Sequence, residues 1–234
     1  MVVGERLPIT DYQLLTTILL TMTATTQQLI RSVAEADSPA QMTAAVKKLA
    51  AAKDEAAIPT LIAVFGYNNP EAAAAAVAGL IALKEAAVPY LLAQIDDYNY
   101  GARAYSIRTL AAIADPRALE VLLSSAVNDF APSVRCAAAK GLGNLQFCKL
   151  DPPQRQTAQT KALETLLLVS QDPNWLIRYA AVVGLEALAK IPQLQQPIQT
   201  RFAQILATDT EQAICARVQL AQKLGIEDKL QTEN

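Results

Sequence analysis

The sequence predicts an all-α protein, an α-solenoid of HEAT- or armadillo-like helical repeats, and three observations carry that prediction. Of its 234 residues 44 are alanine, against 8 glycines and 5% aromatics. Alanine has the best intrinsic helix propensity and glycine one of the worst, whereas a β-sandwich or barrel needs more β-branched and aromatic residues and more glycine turns. Next, leucine recurs at Leu49, Leu80, Leu110, Leu142, Leu185 and Leu224, at intervals of 31, 30, 32, 43 and 39 residues. Finally, arginine stands seven residues ahead of the last four of these, at Arg103, Arg135, Arg178 and Arg217, with Met42 and Ala73 in that slot earlier. Glycine precedes the leucine at Gly79, Gly141 and Gly184, and Asp97, Asp129 and Asp172 each lie six residues ahead of their arginine.

Taken in order, residues 1–36 form an N-terminal capping region, with a helix from Tyr12 to Val33. Residues 37–226 form one continuous stack of five to six repeats, and 227–234 a tail that frays. Each repeat holds two helices. One is typified by the Ala-rich run Pro70–Leu83, the next by Val88, Leu91, Leu92 and Ile95, an i, i+3, i+4, i+7 stripe. Ser38-Pro39, Asn69-Pro70 and Asp115-Pro116 read as a cap followed by proline, and Pro59 and Pro89 fall in first turns, where a missing N–H costs nothing. The long fourth interval carries an insertion, Cys148 to Pro153. The alanine excess follows from stacking, because closely packed helices need small facing side chains.

Composition narrows the chemistry. The net charge is −2, with 20 basic and 22 acidic residues and no basic block, so the electrostatic footprint of a nucleic-acid binder is missing. There is no histidine, which removes Ser–His and Cys–His dyads and His-ligated metals. Cys136, Cys148 and Cys215 form neither a CxxC pair nor a disulfide framework, and they read as small packing residues in a reducing, cytoplasmic compartment. The apolar run Leu14–Leu20 is too short and Thr-rich to span a membrane.

In a repeat protein the informative residues are those at helix starts. Tyr67 and Asn69, then Asp97, Tyr98, Asn99, Tyr100 and Arg103, then Asp129, Phe130 and Arg135, then Trp175 and Arg178 fall at successive turns. They predict an edge of aromatic, amide and carboxylate groups backed by arginines, which binds a ligand or a partner protein. For Asp129, Arg135, Asp172 and Arg178 the favoured reading is structural, an Asp cap and an Arg that tie consecutive repeats together. No catalytic residue can be assigned from the residues themselves.

The particular strings go further. Gly66-Tyr67-Asn68-Asn69-Pro70, Asp97-Tyr98-Asn99-Tyr100-Gly101-Ala102-Arg103-Ala104, Asn128-Asp129-Phe130 with Ser133-Val134-Arg135, and Gln171-Asp172-Pro173-Asn174-Trp175 with Arg178 to Leu185 are similar to the E/F-type phycobiliprotein lyases. Within that family of HEAT-repeat proteins the chain resembles the F subunits of phycocyanin alpha-subunit phycocyanobilin lyases. The resemblance spans roughly Val33 to Leu224. It implies an enzyme subunit that pairs with an E-type subunit and attaches phycocyanobilin through a thioether to a cysteine of the phycocyanin alpha chain. Phycocyanobilin is then substrate, with no resident cofactor and no metal, and the acceptor thiol belongs to apo-phycocyanin. The isomerising members carry an adjacent His–Cys pair, so a chain without histidine is expected not to rearrange the bilin. Arginines such as Arg103 or Arg178 would meet the propionates, with Asp97 at the pyrrole N–H groups. The alternative from another class is a non-catalytic HEAT adaptor that binds phycobiliproteins during phycobilisome assembly or degradation. Cyanobacterial cytosol or plastid stroma is the compartment the resemblance implies.

Overall fold

The computed structural model describes residues 25–95 and 100–232. Twelve helices are labelled among them. They are α1 (25–34), α2 (Pro39–Ala52), α3 (Ile58–Ala63), α4 (Pro70–Ala82), α5 (Val88–Ala93), α6 (Tyr100–Ile113), α7 (Leu119–Asn128), α8 (Pro132–Asn144), α9 (Pro152–Val169), α10 (Trp175–Leu188), α11 (Gln195–Thr208) and α12 (Gln212–Thr232). The fold is an α-solenoid of HEAT type, as the repeat predicts. Most of the expected capping helix, and with it Asp97, Tyr98 and Asn99, lies outside the described residues. Residues 227–232, read from sequence as tail, continue α12.

The expected starts form for the expected reasons. The side chains of Ser38, Asn69 and Asp115 accept the backbone N–H groups of Gln41, Ala72 and Arg117, which an isolated first turn leaves unsatisfied. Pro59 and Pro89 are the second residues of α3 and α5. Helix ends also repeat. Lys53, Lys84 and Ala114, each four residues beyond a repeat leucine, adopt left-handed φ values of 51°, 51° and 60°.

The chain packs as two compact units, divided between Tyr90 and Leu91. In the first, α2 packs on α4. Gly79 makes that approach possible, because a Cβ there would sit 2.6 Å from the Cβ of Ala50. Asn69 ties the two helices by donating from Nδ2 to the Pro39 carbonyl at 3.0 Å, and Lys47 pairs with Glu71 at 2.7 Å.

In the second unit α6, α8, α10 and α12 pack each on the next, with α7 and α9 side by side behind them. The α8–α10 crossing brings backbone against backbone. A Cβ on Gly143 would lie 2.2 Å from the Gly184 carbonyl oxygen, and one on Gly184 would lie 2.5 Å from that of Ala139. The insertion after α8 is pinned: Gln146 donates its N–H to the Ala114 carbonyl (2.8 Å), and Arg155 holds the carbonyls of Phe147, Cys148 and Leu150.

The leucine register holds for Leu49, Leu80, Leu110, Leu142 and Leu185, all completely buried. It fails in the last helix, where Leu224 is 41% exposed and Ile214, Val218 and Ala221 supply the core. There Cys215, six residues after Asp209, stands where the other repeats carry arginine. Arg217 pairs with Glu186 of α10.

Candidate functional site: the turn edge of the second unit

Each turn that enters α8, α10 and α12 folds around an aspartate. One carboxylate oxygen of Asp129, Asp172 and Asp209 accepts the N–H two residues on, from Ala131 (2.8 Å), Asn174 (2.8 Å) and Glu211 (3.0 Å). That local bond shapes the turn and aims the carboxylate back at the preceding repeat. There an arginine meets it. Arg103 reaches Asp129 from Nε at 3.0 Å, Arg135 reaches Asp172 at 2.5 Å, and Arg178 grips Asp209 with two parallel bonds of 2.8 and 3.0 Å. The pairs are largely buried, Arg103 being only 7% exposed. The two bonds from Arg178 hold the Asp209 carboxyl below the usual carboxylate range, and the same pairing raises the pKa of Arg178. The guanidinium groups of Arg103 and Arg178, expected at propionates, are engaged in this inter-repeat ladder. Asp129, Arg135 and Asp172 belong to the same ladder. Asn69 likewise ties its own repeat to the one before it.

What the ladder leaves outside is aromatic. Phe130, one residue after the buried Asp129, is 73% exposed. Its ring lies 5.2 Å from that of Tyr100, and the Arg103 guanidinium sits 4.9 Å from the Phe130 centroid and 5.9 Å from that of Tyr100. The Tyr100 hydroxyl is 3.2 Å from that of Ser133. A cation thus backs two rings whose outer faces remain open. Trp175 and Leu176, on the first turn of α10, are 43% and 47% exposed. The structure so brings together Tyr100, Arg103 and Asp129 with Phe130, while Tyr67 is half-exposed in the first unit.

The cysteines offer no nucleophile in the packed layer. Burial pushes the Cys136 thiol up, and its Sγ donates to the Leu176 carbonyl at 3.4 Å, so the reactive thiolate is disfavoured. Cys215 points its thiol at the Asp209 carbonyl. Cys148 is exposed on the insertion.

Sequence reasoning missed Asp209 and Arg201. Asp209 carries the same six-residue spacing as Asp129 and Asp172, but a cysteine occupies the arginine slot and hides it. Arg201 lies on α11 and falls outside the arginine spacing of the repeat. Its side chain bonds the Ser170 hydroxyl (2.7 Å) and carbonyl (2.9 Å).

A stack of paired helices with an ion-pair ladder inside its turns and exposed rings outside them defines a HEAT-repeat protein. The HEAT-repeat family pattern matches residues 67–143 and 88–159. The chain is 67% identical over 197 residues to the "phycocyanobilin lyase subunit beta" of Nostoc sp. (strain PCC 7120), covering 84% of this chain and 98% of that protein. It is 46% identical to the "phycocyanin alpha phycocyanobilin lyase CpcF" of Synechocystis sp., covering 82% and 90%. Among solved structures, a chain in the complex of CpcE and CpcF of the Nostoc phycocyanin lyase superposes with a TM-score of 0.71 at 70% identity, covering 72% of this chain and 99% of that one. The chain belongs to the phycocyanobilin lyase beta-subunit (CpcF) family.

Proposed function

We propose that this chain is the F-type subunit of a heterodimeric lyase that attaches phycocyanobilin to the phycocyanin alpha chain. The observation that carries this reading is 67% identity across nearly the whole length of a phycocyanobilin lyase subunit. The turn edge supports it physically. A linear tetrapyrrole is a flat π-system, and Tyr100, Phe130 and Trp175 offer exposed ring surface at neighbouring turns. The C–S bond forms when the acceptor thiolate of apo-phycocyanin attacks the ethylidene carbon, whose displaced π electrons take up a proton. The lyase contributes by holding the bilin and the thiol in reacting geometry. Phycocyanobilin enters as substrate, with no resident cofactor. Without a histidine the chain lacks half of the pair used by the isomerising relatives, so the attached pigment keeps its double-bond arrangement. No single helix among the described residues is long and apolar enough to cross a membrane, and we place the protein in the cytosol or stroma with its substrate.

The test is pigment transfer to apo-phycocyanin alpha with each subunit omitted in turn. Transfer is expected only with both subunits present, giving a product with the absorbance of unrearranged phycocyanobilin. Full transfer by this chain alone overturns the heterodimer. Association with apo-phycocyanin with no transfer under any combination supports the adaptor reading instead.

A further inference from the structure

Between the turn that enters α10 and the turn that enters α12 lies a cleft of about 430 Å³, lined by Gln171, Asp172, Arg178, Arg201, Thr208 and Asp209 among others. Two guanidinium groups and two carboxylates line it, and both carboxylates are already paired, Asp172 by an arginine from outside the cleft. Arg135 takes Asp172 and Arg178 takes Asp209. Arg201 bonds only neutral acceptors: the Ser170 hydroxyl, the Ser170 carbonyl and, at 3.3 Å, the Gln204 side-chain oxygen. Asp209 attracts it without pairing, while Arg178 repels it. Partial burial lowers its pKa. Arg201 is therefore a lining guanidinium without a carboxylate partner among the described residues, a planar fork of donors whose geometry matches a carboxylate. A dianionic phosphate would meet the two aspartates on the walls.

We infer that this cleft is a carboxylate-binding site built on Arg201. The geometry of the site stands by itself; naming its ligand rests on the lyase reading above. The carboxylate comes from one of two sources, a propionate of the bilin or an acidic side chain of a protein partner.

The experiment uses the two-subunit complex. Arg201→Gln keeps a donor for Ser170 and removes the charge. Thr208→Glu leaves every bond of Arg201 in place and supplies a tethered carboxylate at the rim, so the site is blocked even if Arg201→Gln unfolds. Binding of phycocyanobilin and of its dimethyl ester is followed by visible absorbance, and association with the E-type subunit and with apo-phycocyanin by calorimetry. If the source is a propionate, the wild type prefers the free acid by about tenfold, and both variants lose that preference with ester binding unchanged. If the source is a protein side chain, both variants weaken one association by about tenfold and leave the acid-to-ester ratio alone. Either result supports the site and identifies its ligand. Folded variants that change neither measurement by more than about twofold overturn it. A wild-type complex that binds neither form of the bilin refutes the lyase reading, and the association arm alone then decides the site.

Discussion

Single aspartates hold the repeats of the second unit in register, and Asp209 shows the physics most fully. Its carboxylate shapes its own turn through the Glu211 N–H and accepts two bonds from Arg178 of the preceding repeat. Asp209→Asn keeps the size and the turn bond but removes the charge that Arg178 faces. Loss of one charge-assisted pair in a largely buried site predicts destabilisation of about 2 kcal/mol in chemical denaturation at neutral pH. Because the folded carboxyl titrates below its unfolded value, its contribution is complete above about pH 4 and is lost as pH falls through the folded pKa. The gap between wild type and Asp209→Asn should therefore close on acidification below about pH 4; a gap that stays constant to pH 2 would show that the charge does not matter. Sequence spacing made Asp129 and Asp172 visible in this role because an arginine follows each at six residues. Their partners were not legible from the spacing, since Arg103, Arg135 and Arg178 each reach forward to the carboxylate of the next turn, not to the one six residues before them.

At the scale of helices, the even-numbered layer is close-packed by small residues, and the crossing of α8 and α10 is its tightest point. The glycine before the repeat leucine signalled Gly79, Gly141 and Gly184 in the sequence. Gly143 looked only like the end of a helix, because a backbone-to-backbone contact with Gly184 has no counterpart in the other repeats. Gly143→Ala should raise local helix propensity and yet destabilise the protein, since its Cβ would overlap the Gly184 carbonyl and no flexible side chain can yield. The expected loss is about 2–3 kcal/mol by denaturant titration; a neutral or stabilised variant would mean that α8 and α10 can separate without penalty. The insertion after α8 was visible as a long interval. Its rigidity was not, because Arg155 and Gln146 secure it through backbone carbonyls that no residue pattern reveals.

Over the molecule as a whole, buried ion pairs and exposed rings occupy consecutive residues of the same turns. Asp129 faces inward to Arg103, and Phe130 faces outward. The sequence made this edge legible as a list of residues and mixed the two roles, because both repeat with the same period. Burial separates them, and the separation is testable. Phe130→Ala gives up a largely exposed ring and a contact with Arg103 of about 0.5–1 kcal/mol, so its melting temperature should fall by no more than about 2–4 °C. Arg103→Ala strands a buried carboxylate and should cost about 3 kcal/mol or more. If the exposed rings receive the bilin or the partner subunit, Phe130→Ala and Trp175→Ala lower pigment transfer several-fold while circular dichroism stays that of the wild type. Transfer by Arg103→Ala, in contrast, should recover when the assay is run cold enough to keep the chain folded. Wild-type transfer by both aromatic variants would remove the rings from the recognition surface and leave Arg201 and its cleft as the part of the edge to pursue.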